Sequence, residues 1–197
     1  MGVSVAAGVR SSVMVRKSEF DNPGTSWPAL EVRIVPYDER WPQLFALERE
    51  LIRGAVGELL HAIHHFGSTS VPGLSAKPII DIVATYRMPP SEVHRERLGA
   101  IGYVHARNVD DTDIVFLGKG NHEYHLLLVP IEHGTLVNKL AVRDYLRVHP
   151  DESAAYGGHK TELAAMSSGI AKDYALGKRE FVDALEARAL EWARNRK

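Results

Sequence analysis

The stretch from His61 to Ala84 constrains the fold most, because two apolar runs of strand length flank a loop dense in glycine, serine and proline. Residues 61–66 read as one short strand, residues 67–78 as the loop and residues 79–84 as a second strand. The second run, Ile79-Ile80-Asp81-Ile82-Val83-Ala84, is nearly all apolar and predicts burial on both faces. A carboxylate within such a strand is costly unless something compensates it, so Asp81 marks a place where a cation or donor must stand.

A strand ending in Gly-Ser, a turn, and an acid on the next strand together make a simple phosphate and metal device. Gly67 permits close backbone approach, and the Ser68 hydroxyl with the exposed amides of the turn, Thr69 included, can hold phosphate oxygens. Asp81 can bind the Mg²⁺ that bridges them, and Lys77 is near enough to add positive charge. His64 and His65 precede the loop on opposite faces of their strand, so at most one reaches such a site.

Around this centre the pattern predicts a strand over residues 31–36 and then a helix. In that helix Leu44, Phe45, Leu47, Leu51, Ile52, Ala55, Val56, Leu59 and Leu60 recur at helical spacing. A helix is expected from Ser91 to about residue 100, followed by strands over 103–106, 113–117 and 124–129. The last third reads as helical. Leu136, Leu140, Val142, Tyr145 and Leu146 define one helix ended by His149-Pro150, and two more flank Ser167-Ser168-Gly169. Those two echo each other: Tyr156 and Lys160 recur as Tyr174 and Lys178, each pair at i,i+4. The plain interpretation is two amphipathic helices with snorkelling lysines; the sharper one is two phosphate-binding Tyr/Lys pairs. Asp110, Asp111 and Asp113 read as a solvated turn.

Composition narrows the partners. Lys and Arg total 24 against 25 Asp and Glu, a formal charge of -1, so no global basic field favours nucleic acid. Cysteine is absent, which excludes disulfides, thiol nucleophiles and thiolate metal sites. No run reaches the roughly 18 apolar residues of a membrane span. Residues 1–30 are rich in Ser, Gly, Asn and Pro and read as an arm, leaving 31–197 as one domain. They lack the shape of a signal peptide, and Ala6 stands where a myristoylation motif needs Ser or Thr, so a cytoplasmic protein is expected.

The run from His65 to Ile82, HFGSTSVPGLSAKPIIDI, resembles the signature of the GrpB (glutamate-rich protein, UPF0157) family, whose fold belongs to the nucleotidyltransferase superfamily. Ile34-Val-Pro-Tyr-Asp-Glu-Arg-Trp-Pro42 and Val142-Arg-Asp-Tyr-Leu-Arg147 support the resemblance, which covers roughly residues 31–193. It implies an α+β, two-layer fold: a mixed β-sheet packed with helices. Enzymes of the superfamily transfer a nucleoside monophosphate to a hydroxyl or amine, with Gly-Ser on the triphosphate and two or three carboxylates on a pair of Mg²⁺ ions.

Carried over by position, Gly67 and Ser68 bind phosphate, Asp81 ligates Mg²⁺ or Mn²⁺, and His65 occupies the family's histidine position. Arg143 and Lys160, the latter paired with Tyr156, match family positions from which they can contact phosphate, and Lys178 can do so if the final helix lies across the sheet opening. The superfamily's second carboxylate falls at Val83, which coordinates nothing. A third is expected from a later strand, where Glu123 and His125 share a face by the period-2 rule and complete a catalytic set with Asp81. An Asp, Glu and His set also suits Mn²⁺, Fe²⁺ or Zn²⁺. The expected function is that of a nucleotidyltransferase-like protein that binds a nucleotide, with a nucleoside triphosphate as donor, or another polyphosphorylated ligand through Gly67, Ser68, Lys77 and a divalent ion on Asp81; if it turns over, it transfers a nucleoside monophosphate to a small-molecule acceptor. The rivals are a non-catalytic module for a nucleotide or CoA-related ligand, and a metal hydrolase on His65, Asp81, Glu123 and His125.

Overall fold

The computed structural model describes residues 32–108, 113–167 and 170–196; the expected N-terminal arm and Asp110 and Asp111 lie outside them. Among the described residues, five strands make one mixed sheet: β1 (Leu60–Phe66), β2 (Ile80–Tyr86), β3 (Tyr103–Asn108), β4 (Val115–Lys119) and β5 (Tyr124–Pro130). Their spatial order is β1-β2-β5-β4-β3. The central pair, β2 and β5, runs parallel and the other neighbours antiparallel. Six helices accompany them: α1 (Trp41–Val56), α2 (Glu92–Ala100), α3 (Thr135–Val148), α4 (Pro150–Met166), α5 (Ala171–Gly177) and α6 (Arg179–Arg194). This is the expected α+β architecture.

The apolar run of β2 is buried on both faces because it is central and has helices on each side. Ile80, Ile82, Ala84 and Tyr86 join Leu126 and Leu128 of β5 in a core closed by Ile52 and Val56 of α1 and Leu98 of α2. On the other face Val83 packs with Val129 and Ile114, against Phe66, Phe116, Leu127 and Leu136. A third cluster joins the C-terminal helices to the loop after β1: Val71 and Leu74 pack with Ala141, Tyr145, Leu146, Tyr156, Leu185 and Ala189. The glycine-rich loop is therefore anchored by its own apolar residues in a helical core.

Several boundaries differ from expectation. Within residues 32–36 only Val35 bridges, to Ala76, since Pro36 brings no N–H to extend a ladder. The first helix stops at Val56, where the Gly57 N–H closes on the Arg53 carbonyl, and Leu60 already belongs to β1. Leu47 and Leu51 are exposed, whereas Glu48 is buried and pairs with Lys119 at 2.8 and 2.9 Å. Pro150 opens α4 as well as closing α3, because its missing N–H costs nothing in a first turn. The expected last helix is two, α5 and α6, meeting at Lys178. No described helix is long and apolar enough to cross a membrane.

Candidate functional site

The turn after β1 is shaped by one close approach. Gly67 has φ 71° and ψ −175°, a conformation open essentially to glycine alone. A Cβ there would stand 2.5 Å from Asp81 Oδ2, so the glycine also makes room for the carboxylate on β2. Ser68–Ser70 then forms a single 3-10 turn, in which the Ser70 hydroxyl donates to the Gly67 carbonyl at 2.6 Å. Helix α3 clamps this turn from outside: Arg147 donates to the Ser70 carbonyl at 3.0 and 2.7 Å, and Arg143 to the His65 carbonyl at 3.1 Å. Arg143 also grips Asp144 at 2.7 Å.

Parallel pairing of β2 with β5 sets Asp81 beside His125. Their side chains meet at 3.3 Å, Nδ1 to Oδ1, with Asp81 29% exposed and His125 8%. The other ring nitrogen of His125 lies 3.4 Å from Nδ1 of buried His122. Burial pushes the Asp81 carboxyl up, but the hydrogen bond and charge of His125, with Lys77 and Lys178 beyond, outweigh it and hold Asp81 below its ordinary value. The compensation expected for Asp81, which is only half-buried, is thus supplied by the chain's own side chains.

The lysines gather on two tyrosines. Lys77 and Lys178 stand 5.8 and 5.7 Å from the ring centre of Tyr174, and Lys160 lies 4.6 Å from that of Tyr156. Lys160 is 2% exposed and donates to the Ser75 carbonyl. Burial, then the charges of Lys178 and Lys77, pull its ammonium down to about 7. Burial pushes the Tyr174 phenol up to about 12.

These groups surround a cavity of about 210 Å³ between the loop, the sheet and the C-terminal helices. Gly67, Ser68, Thr69, Lys77, Asp81, His125, Arg143, Tyr156, Lys160 and Lys178 all line it, so most of the residues singled out in the sequence come together. Five basic side chains line it, Lys77, Lys139, Arg143, Lys160 and Lys178, against two carboxylates, Asp81 and Glu186.

Two expected site residues do not line it. His65 faces the opposite side of the sheet, because the register places Phe66 beside Asp81 and His65 beside Ile82. There His65 stacks on Phe45 at 4.8 Å and donates through Nε2 to Thr69 Oγ1 at 3.0 Å, while Thr69 donates to the Ile79 carbonyl at 2.8 Å. Burial pulls its imidazole down to about 4, so it is a neutral staple of the turn. Glu123 precedes β5, where Gly120 (φ 65°) and His122 (φ 62°) fold the chain into a tight turn. Its exposed side chain lies back over Gly120. The period-2 rule fails here because residue 123 is outside the strand. Asp113 is exposed and its carbonyl accepts the Tyr86 hydroxyl, away from the cavity.

A magnesium pair needs oxygen ligands from more than one carboxylate. Val83 is fully buried in the apolar cluster, and Glu123 packs elsewhere. Among the described residues no three His, Asp or Glu side chains converge as metal ligands. The donor set does not fit the two-ion arrangement, nor a set of Asp81, Glu123 and His125.

Sequence reasoning missed His122, Phe116, Lys139 and Glu186. Phe116 meets His125 edge-on at 5.1 Å, and Asn138 holds Glu186 at 2.7 Å. A polar residue on an amphipathic helix carries no local mark of facing a cavity, so Lys139 and Glu186 were invisible. Tyr174 was visible only as the echo of Tyr156.

The sequence pattern of the GrpB protein family matches residues 31–188. The chain belongs to the GrpB family. Among GrpB-family relatives, it is 36% identical over 174 residues to the UPF0157 protein PA4798 of Pseudomonas aeruginosa, covering 83% of this chain and 70% of that one. It is 31% identical over 173 residues to the UPF0157 protein YqkA of Bacillus subtilis, covering 86% of this chain. The chain spans 50% of YqkA's length. The crystal structure of GrpB from Enterococcus faecalis superposes with a TM-score of 0.77 at 27% identity, over 82% of this chain and 99% of that one.

Proposed function

We propose that the cavity binds the phosphate-bearing end of a nucleotide or a related phosphorylated small molecule. One observation carries this: a chain with a formal charge of -1 gathers five basic side chains against two carboxylates around one cavity beside a Gly-Ser turn. Low-dielectric walls focus that local excess toward an anion. The non-catalytic binding module is favoured over two-metal transfer, because Val83 and the outward Glu123 fill neither expected carboxylate position and no three ligand side chains converge among the described residues.

Transfer chemistry is the second reading, and the Asp81–His125 pair is what favours it. Asp81, ionised and partly exposed to the cavity, could accept the proton of an acceptor hydroxyl as its oxygen bonds to the α-phosphorus and pyrophosphate leaves, with His125 holding the carboxylate in place.

Thermal melts of the protein against ATP, GTP, CTP, UTP and CoA, each with Mg²⁺, Mn²⁺ or EDTA, test the binding. A ligand at 100 times its Kd stabilises by about 2.7 kcal/mol, a clear rise in Tm. No rise with any of them would defeat the proposal. Pyrophosphate release from a bound triphosphate would move the assignment to the transfer reading.

A further inference from the structure

We infer that the site grips the ionised polyphosphate chain itself, with lysine ammonium groups in the place where related chemistry uses divalent ions. The inference rests on the binding proposal and deepens it. Lys77 and Lys178 each stand within 6 Å of the centre of the buried Tyr174 ring, and the charge of each lowers the Asp81 carboxyl. Lys160, behind them, feels both as like charges. With Lys139 and Arg143 they give the cavity a lining of five basic side chains against two carboxylates, a local concentration of positive charge that an anion relieves. The acid that would otherwise recruit a metal is already satisfied by His125 at 3.3 Å.

The size of the cavity sets the extent of recognition. Its 210 Å³ falls below the roughly 300–1,000 Å³ of pockets that enclose a drug-sized ligand. Only the phosphates fit inside, so the remainder of the ligand lies at the mouth and its base is not read. Free polyphosphate carries more negative charge than its magnesium complex, and lysine recognition therefore prefers the metal-free form.

Titration calorimetry of the whole chain with inorganic tripolyphosphate and with ATP, each in EDTA and in excess Mg²⁺, separates the possibilities. Both are expected to bind in EDTA with Kd values within about tenfold of each other, and Mg²⁺ to weaken both severalfold. Lys178→Gln is expected to weaken tripolyphosphate binding by about tenfold, the loss of one charge-assisted hydrogen bond. Lys77→Gln gives the same readout should the first variant melt early. Binding only with Mg²⁺ would overturn this inference and leave the binding proposal standing. ATP binding more than about a hundredfold tighter than tripolyphosphate would show that the base is read and overturn it as well. No heat from either ligand in either buffer would overturn both.

Discussion

His65 and His125 flank consecutive residues of β2, Ile82 and Asp81, and that single step along the strand divides their roles. His65 lies on the face closed by α1, stacked on Phe45 and bonded to Thr69, where burial keeps it neutral. His125 lies on the cavity face and meets Asp81, with His122 behind it. Both are buried and both adjoin the same turn. The difference teaches that in a central strand function is assigned by face: one side of β2 is a dry core that fixes the loop, and the other presents its one acid to a cationic cavity.

The hardest blow to this division is expected from Gly67→Ala, which strains the backbone at φ 71° and drives a methyl into Asp81. Together these should cost about 3 kcal/mol in urea unfolding and abolish tripolyphosphate binding. A loss well under about 1 kcal/mol with binding intact would mean that Asp81 does not press on the turn.

On the dry face the test is pH. His65 has an ordinary value of 6.5 and about 4 when folded, so between those limits the unfolded chain binds the extra proton. Its contribution is present above pH 6.5 and is lost as pH falls toward 4, by about 3 kcal/mol. Denaturant melts from pH 7 to 4 should show this fall, and His65→Gln should flatten it. Asp81, held below 3.8, adds its own loss only at lower pH, so His65 and Asp81 titrate in separate windows. An unchanged slope in His65→Gln would break the contrast.

The smallest effect is expected from Glu123→Gln. With its side chain over Gly120 and away from the cavity, tripolyphosphate affinity should stay within about twofold of the parent. A tenfold change would return Glu123 to the site.

Much of the molecule was legible before folding. The order of most strands and helices followed from the period of apolar residues, and the run from His65 to Ile82 located the turn and its acid. The Tyr/Lys echo found two of the four cavity lysines, because i,i+4 spacing on a helix is local. Glu123 and His65 misled for different reasons: Glu123 was placed by strand alternation, which cannot tell where a strand begins, and His65 by the family resemblance, which marks a position but not the face that it turns inward. Positive φ at Gly120 and His122 decided the first, and the pairing of Phe66 with Asp81 decided the second.

By itself, then, the sequence determined the elements and the chemistry available: a glycine turn, a buried acid, lysines at helical spacing and no cysteine. Tertiary structure alone decided which of these meet. Adjacency of β2 to β5 set His125 against Asp81, and packing of α4 and α5 over the loop drew Lys160 and Lys178 to Lys77. Covalent order fixes periodicity within an element, whereas the contacts that compensate a buried charge come from segments distant in the chain, and only close packing brings them within reach.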